Sequence, residues 1–308
     1  MPLHIDYRPQ NLDEIVGNKG IVESHKSLFY NRDSDRPHSI LYIGPSGCGK
    51  TTFARIYASM LDCHKRDITE INAANNRGID TARKIQESMI FKPLNGSSKC
   101  YIIDEVHATS KDFQNAMLKA LEDAPDHVYF LLATTDPQKL IPTLKNRCTT
   151  FEVNLLSVSE LKFLLSNILK AENVNDIPDA VILEIAIVSD GCPRQALVIL
   201  DQIIDIPVPD MMNAIQDLRV TDKTVKELCQ ALLYKKAWPQ VAEILKSIDM
   251  GNPDEIRRSL RGYMAAVLLN AKGGSEENQA ALIMELFREP VYGCVKADIV
   301  GAAYQSII

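Results

Sequence analysis

SILYIGPSGCGKTTFARIYASML, residues 39–61, decides the fold. A β-rich apolar run from Ser39 feeds Gly44-Pro45-Ser46-Gly47-Cys48-Gly49-Lys50-Thr51, a full GxxxxGK[ST] pattern. Thr51 to Leu61 then repeats apolar side chains every three or four positions, as an amphipathic helix requires. Strand, glycine-rich turn and helix in that order form a P-loop. Its glycines let backbone N–H groups wrap phosphates at a helix N-terminus, Lys50 reaches the β- and γ-phosphates, and the Thr51 hydroxyl ligates Mg²⁺.

Outward from that turn, four further β-rich runs follow: ITEINA (68–73), KCYIID (99–104), VYFLLATT (128–135) and CTTFEV (148–153). They alternate with helical patterns such as Lys111 to Glu122. This alternation is the signature of a parallel sheet flanked by helices, so residues 1–155 are expected to form a five-stranded, three-layer α/β domain. Beyond residue 155 the β signal ends. Residues 157–173 and 178–191 read as helices separated by turn residues, a small helical lid over 156–207. Ile206-Pro207-Val208-Pro209 interrupts the pattern, because proline removes a backbone donor and restricts the residue before it. Residues 224–237, 253–271 and 278–289 then predict an all-helical domain over 208–308.

Composition agrees with this division. The 308 residues are 46% hydrophobic and 24% charged, ordinary for a soluble protein of two or three domains. The start MPLHIDYRPQ lacks the basic stretch and apolar core of a signal peptide, and no segment approaches the roughly 18 apolar residues of a membrane span, so a cytoplasmic protein is expected. Seven scattered cysteines without a CxxC pair fit reduced thiols. Cys63 and His64 are adjacent, but no second pair stands at zinc-ligand spacing, which argues against a metal cluster. Net charge is −6, against a protein that coats nucleic acid over its whole surface. Residues 1–150 hold 19 Lys/Arg against 18 Asp/Glu, and residues 151–308 hold 15 against 22, so a polyanion should meet the first half.

Cys100-Tyr101-Ile102-Ile103-Asp104-Glu105 is an apolar strand ending in two carboxylates, a Walker B arrangement. Asp104 would hold Mg²⁺ through its water shell, and Glu105 would orient or deprotonate the attacking water. Two acids after an apolar strand occur in several P-loop families, so the motifs alone read as a nucleoside triphosphatase.

The flanking residues narrow it. Asp104-Glu105-Val106-His107, followed by LKALEDAPDHVYFLLATTDPQKLIPTLKNRC (118–148), closely resembles the DnaX clamp-loader ATPases of bacterial polymerase III. NAANNRGIDTARKIQ (72–86) is similar to the small subunits of replication factor C. Tyr7-Arg8-Pro9, with LDEIVG from Leu12 to Gly17, resembles the segment that cups adenine throughout that family. Matching blocks extend from Tyr7 to about Gln202.

The resemblance implies an AAA+ P-loop domain, a helical lid and an oligomerising helical collar, with ATP and Mg²⁺ as cofactors. It implies that Tyr7, Arg8, Pro9 and Val16 border the base, that Thr52 joins the P-loop residues, and that Thr135 is sensor 1. Arg147, in Asn146-Arg147-Cys148, matches the arginine that enters a neighbouring subunit's ATP site, where a forked, permanently charged guanidinium suits a transferring phosphoryl group. Arg194 matches sensor 2, the lid arginine that reaches the subunit's own nucleotide. Taken alone, either arginine would read as an exposed side chain. Arg77, Arg83, Lys84 and Lys111 fall at helix starts that in the family line a central DNA channel, suited to sequence-independent phosphate contact. A solvated helix face is the plainer reading of these four.

This chain departs from the DnaX pattern in running directly from Cys63 to Ile68, where DnaX carries a cysteine zinc module, and in having Asp6 and Asn146 where a basic residue and a serine are usual. The partners implied are a sliding clamp, primer–template DNA and other loader subunits, in a pentamer with several copies of this chain and one distinct subunit. The rival readings are another AAA+ DNA-processing ATPase, such as a branch-migration motor or helicase loader, which predicts a winged-helix end, and a structural ring subunit, which would have lost P-loop residues.

Overall fold

The computed structural model describes residues 2–30, 36–174, 176–218, 223–248, 253–269, 275–288 and 295–308. The chain divides into two compact units, Met1–Leu164 with Gly191–Gln195, and Leu165–Asp190 with Ala196–Ile308.

The first unit is built on five strands, β1 (Ser39–Ile43), β2 (Ile68–Asn72), β3 (Lys99–Asp104), β4 (Val128–Thr134) and β5 (Thr149–Glu152). They form one parallel sheet in the order β2-β3-β4-β1-β5. Around it run α1 (Leu3–Asp6), α2 (Lys19–Tyr30), α3 (Lys50–Met60), α4 (Ile79–Met89), α5 (Lys111–Glu122), α6 (Pro142–Lys145) and the start of α7 (Val158–Ala171). A parallel sheet needs both faces covered, and the strands answer with continuous apolar runs. Ile40, Tyr42, Ile102 and Leu131 pack toward Phe53 and Tyr57 of α3. Their alternates Leu41, Ile103, Phe130 and Leu132 pack toward Ile85 of α4 and Phe113 of α5. The five expected strands are all present, each within a residue or two of its expected bounds.

The topology fixes where chemistry can happen. Because all five strands run the same way, their C-terminal ends share one edge, and β4 stands between β1 and β3. The glycine turn after β1 and the carboxylates ending β3 therefore flank the end of β4, the kind of crevice in which open α/β sheets bind ligands.

The second unit holds the end of α7, α8 (Asp179–Val188), α9 (Pro193–Ile203) from its fourth residue on, α10 (Val208–Leu218), α11 (Lys223–Leu233), α12 (Trp238–Ser247), α13 (Pro253–Leu269), α14 (Ser275–Leu286) and α15 (Val295–Ile307). The Ile206–Pro209 interruption falls at the break between α9 and α10. Leu228, Leu232, Val241, Leu260, Met264 and Ile283 form the core of α11 to α14. Polar groups in that core satisfy one another: Gln279 Nε2 donates to the carbonyls of Leu232 at 3.0 Å and Ser306 at 2.6 Å. Trp238 packs edge-on against Tyr304, with centroids 4.9 Å apart. Residues 270–271 and 289, the ends of two expected helices, lie outside the described residues, and among those described no strand follows β5. No helix among them is long and apolar enough to cross a membrane.

Candidate nucleotide-binding site

The P-loop leaves β1 through Gly44, whose N–H donates to Thr134 O of β4 at 3.2 Å. A Cβ at Gly44 would stand 2.2 Å from the Val153 carbonyl. Gly47 and Gly49 take the left-handed backbone that glycine tolerates, at φ 74° and 109°. Gly49 is the N-cap of α3 and offers no side-chain acceptor, so the first-turn N–H groups are left for an anion. Lys50 opens the helix with its side chain folded back over the turn. Its ammonium donates to the carbonyls of Gly44 at 2.9 Å and Pro45 at 2.7 Å, and the residue is only 5% exposed. Thr51 Oγ1 donates to Asp104 Oδ2 at 2.8 Å, so the hydroxyl and carboxylate expected to hold Mg²⁺ already face each other. Thr52 is turned into the interior. A glycine cradle, a buried cation and a paired hydroxyl and carboxylate fit a Mg²⁺-nucleotide.

Across the end of β4, Glu105 sits in left-handed backbone at φ 53°. Its Oε2 accepts the Thr135 hydroxyl at 3.2 Å and lies 3.3 Å from His107 Nδ1. His107 also reaches Thr134 Oγ1 at 3.1 Å. Burial first, with Lys139 and Lys50 adding to it, pulls His107 below the ordinary histidine range, against the Glu105 charge that pushes it up.

Two distant segments join this edge. Asn18 and Asn154 exchange hydrogen bonds, Asn18 Nδ2 to Asn154 O at 3.0 Å and Asn154 N to Asn18 Oδ1 at 2.8 Å. They fasten the segment of Tyr7, Pro9 and Val16, all partly exposed, to the connection after β5. Gly191 then docks there, its carbonyl accepting Leu156 N–H at 2.8 Å, and Cys192 Sγ–H points at Ser46 O at 3.6 Å. A Cβ on Gly47 would lie 2.5 Å from Cys192 Sγ and 3.3 Å from Arg194 Cβ, so the arginine expected as sensor 2 rests on the P-loop near the start of α9. Arg8 shares its surroundings: burial first, then Arg55 and Arg194, hold it below the ordinary arginine range, while Glu70 and Asp104 oppose them.

Arg147 does not join this cluster. It precedes β5, whose first residue, Thr149, pairs with Ile40 near the start of β1, away from the end that the P-loop leaves. It stands on the surface, with Nε donating to Glu122 Oε1 at 2.8 Å and Nη1 to Thr143 O at 3.2 Å. Arg77, Arg83, Lys84 and Lys111 are all exposed. The starts of α4 and α5 are tied together where Ser110 N–H donates to Arg77 O at 3.0 Å, so the four share one region, though Arg83 is engaged by Asp80 at 3.3 Å.

Some features escaped the sequence reading. His107 and Cys192 carry no role that the sequence alone assigns. Ile90, Phe91 and Leu94 stand 69%, 69% and 78% exposed after α4, a cluster of the kind that surfaces reserve for partners. The loop carrying them is pinned by buried Asp67, which accepts N–H from Leu94 at 2.6 Å and Asn95 at 3.1 Å. Only short apolar periodicity could have flagged it.

The family described as DNA polymerase III, delta subunit matches residues 66–157, which run from before β2 through β5 and include Asp104, Glu105, Thr135 and Arg147. The chain is 33% identical over 311 residues to the Bacillus subtilis DNA polymerase III subunit tau, covering 92% of this chain and 54% of that protein. It is 30% identical to the Haemophilus influenzae subunit tau/gamma over 83% of this chain and 38% of that protein, and 34% identical to the Escherichia coli subunit tau over 64% and 34%. It thus spans about half or less of these relatives' length. Among solved structures, the Thermotoga maritima RuvB Holliday junction branch migration motor superposes with a TM-score of 0.62 at 23% identity, over 78% of this chain and 85% of that one. A point variant of the same RuvB gives 0.64 at 21% identity, over 87% and 93%. At that identity the likeness shows a shared AAA+ fold alone. The chain belongs to the gamma/tau-like family of DNA polymerase III subunits.

Proposed function

We propose that this chain is an ATPase subunit of a cytoplasmic DNA polymerase sliding-clamp loader, which uses ATP binding and hydrolysis to open the clamp and load it on primer–template DNA. The observation that carries the reading is Lys50, a buried cation answered only by carbonyls of its own loop, beside a Thr51 hydroxyl aimed at Asp104. In this reading Lys50 and the α3 N-terminus bind the β- and γ-phosphates. Thr51 and Asp104 hold Mg²⁺, which when bound supplies charge neutralisation. Glu105 accepts the proton of the attacking water as its oxygen bonds to the γ-phosphorus and the bond to ADP breaks. Thr135 and Arg194 sense the γ-phosphate, while Tyr7, Arg8, Pro9 and Val16 enclose the base. Arg147, placed away from its own P-loop, serves a neighbour's site, which makes the ring of several copies plus a distinct subunit part of the proposal.

Residues 156–207 act as the lid and 208–308 as the collar, and Arg77, Arg83, Lys84 and Lys111 follow the DNA backbone. A branch-migration motor would share the P-loop, but it predicts a winged helix, and the described C-terminal residues are helical. A structural ring member is disfavoured by the intact Lys50, Thr51, Asp104 and Glu105. The deciding experiment is ATP hydrolysis with and without primer–template DNA and candidate clamps, beside Lys50→Ala and Arg147→Ala. Stimulation by DNA plus clamp that both variants lose supports the loader. Robust turnover by a monomer, indifferent to DNA, clamp and Arg147, reduces the reading to a P-loop ATPase.

A further inference from the structure

One oxygen of Glu105 is gripped from two sides. Oε2 accepts the Thr135 hydroxyl at 3.2 Å and faces His107 Nδ1 at 3.3 Å, while Oε1 is left for another partner. The grip has a local cause. Left-handed backbone at Glu105 folds the chain back into the single turn Val106–Ala108, which brings side chains two residues apart onto the same side. A carboxylate can only accept, so any hydrogen bond to it uses the ring proton on Nδ1, the same atom that meets Thr134 Oγ1, and the two oxygens share that one proton. The imidazole is also anchored to β4, through Thr134 Oγ1 at 3.1 Å, and that oxygen accepts the N–H of Asp136 at 3.0 Å. The ring is therefore placed by the sheet, not by whatever occupies the P-loop.

We infer that His107 is the positioning residue of the catalytic glutamate, holding Glu105 Oε2 when a γ-phosphate draws Thr135 away. The inference rests on the ATPase reading and deepens it. The Thr135 hydroxyl has one proton and, in that reading, two claimants: Glu105 Oε2 and a γ-phosphate oxygen. When the phosphate takes it, Glu105 Oε2 keeps only the His107 Nδ1 contact, whose proton it shares with Thr134 Oγ1, and Oε1 remains directed at the water. Without the imidazole, the carboxylate rotates freely at the moment when its direction sets the rate.

The test compares the native chain with His107→Ala, His107→Leu and His107→Asn in single-turnover ATP hydrolysis at protein excess. Affinity is measured separately with a non-hydrolysable ATP analogue, and folding by thermal melting. The Asn amide nitrogen stands close to the place of Nδ1, whereas Leu keeps bulk and removes the donor, so the Asn and Leu pair decides even if Ala fails to fold. Expected are hydrolysis rates about 10-fold or more lower for Ala and Leu, analogue affinity unchanged within about twofold, and a rate largely restored by Asn. Native rates in Leu, a parallel loss of affinity and rate, or an Asn variant as slow as Leu would overturn the inference and leave the ATPase reading standing. A native chain that binds no ATP sinks that reading itself, and one that binds ATP but does not hydrolyse it even with primer–template DNA, clamp and the other ring subunits removes the role of His107 alone.

Discussion

Among the described residues, one lysine and one arginine are buried, one in each unit, and they are compensated in opposite ways. Lys50 donates to two carbonyls of its own turn and pairs with no carboxylate among the described residues. Arg257, 2% exposed, donates to Phe287 O at 3.3 Å and to Asp190 Oδ2 at 3.2 Å, and Arg261 holds the same carboxylate. A buried charge is costly unless something answers it. The protein itself answers Arg257, which is therefore scaffolding. Lys50 meets only neutral carbonyls, as a lysine proposed to take a phosphate should. Burial does not separate scaffold from chemistry, whereas the charge of the partner does.

The largest expected effect breaks this comparison if it fails. Lys50→Ala should lower ATP affinity by about 100-fold or more, as loss of a charge-assisted phosphate contact implies, and leave the melting temperature unchanged or higher. A Lys50 variant that melts early would make that lysine scaffolding after all. Arg257→Met should do the reverse, costing about 3 kcal/mol in denaturant titration because Asp190 loses a partner, with nucleotide affinity kept.

His25 sharpens the comparison by a third solution, neutrality. Fully buried among Tyr42, Phe53, Tyr57 and Phe151, it is pushed down by burial from the usual 6.5 to about 4. With its folded pKa depressed, the unfolded chain takes the proton first, so its stabilisation is complete above 6.5 and is lost as pH falls toward about 4. The loss amounts to about 3 kcal/mol. Denaturation of native protein and His25→Phe across that window should give a shallower slope for the variant. Gly47→Ala should weaken ATP binding by about 10-fold in an analogue titration, since its Cβ meets Cys192 Sγ. Smallest is Arg147→Ala, which removes only a surface pair and should cost under about 1 kcal/mol of stability by melting, while ATP affinity of the isolated chain stays put.

What the sequence made legible follows the same division. Lys50, Thr51 and Asp104 could be read because each sits at a fixed offset from a strand end, and a parallel sheet brings strand ends together. Arg194 and Gly47 touch across more than a hundred residues of chain, and periodicity names a residue's face but not its partner. Only resemblance brought Arg194 to the site. His107 stayed without a role because its reach to Glu105 depends on one left-handed backbone conformation that no pattern of apolar residues encodes. Arg257 lies in a helix expected from periodicity alone, which does not say which of its arginines turns inward, and only the fold shows it.

The interleaving of the two units bears on how the protein is made. Gly191–Gln195 belong to the nucleotide-binding unit, yet Leu165–Asp190 of the other unit come first along the chain. During synthesis the N-terminal unit therefore waits, with Gly47 and Leu156 uncovered, until residues of its neighbour have already emerged from the ribosome. A truncation after Leu164 should for the same reason leave Leu156 N–H without its Gly191 acceptor, and a useful minimal fragment must run through at least Gln195.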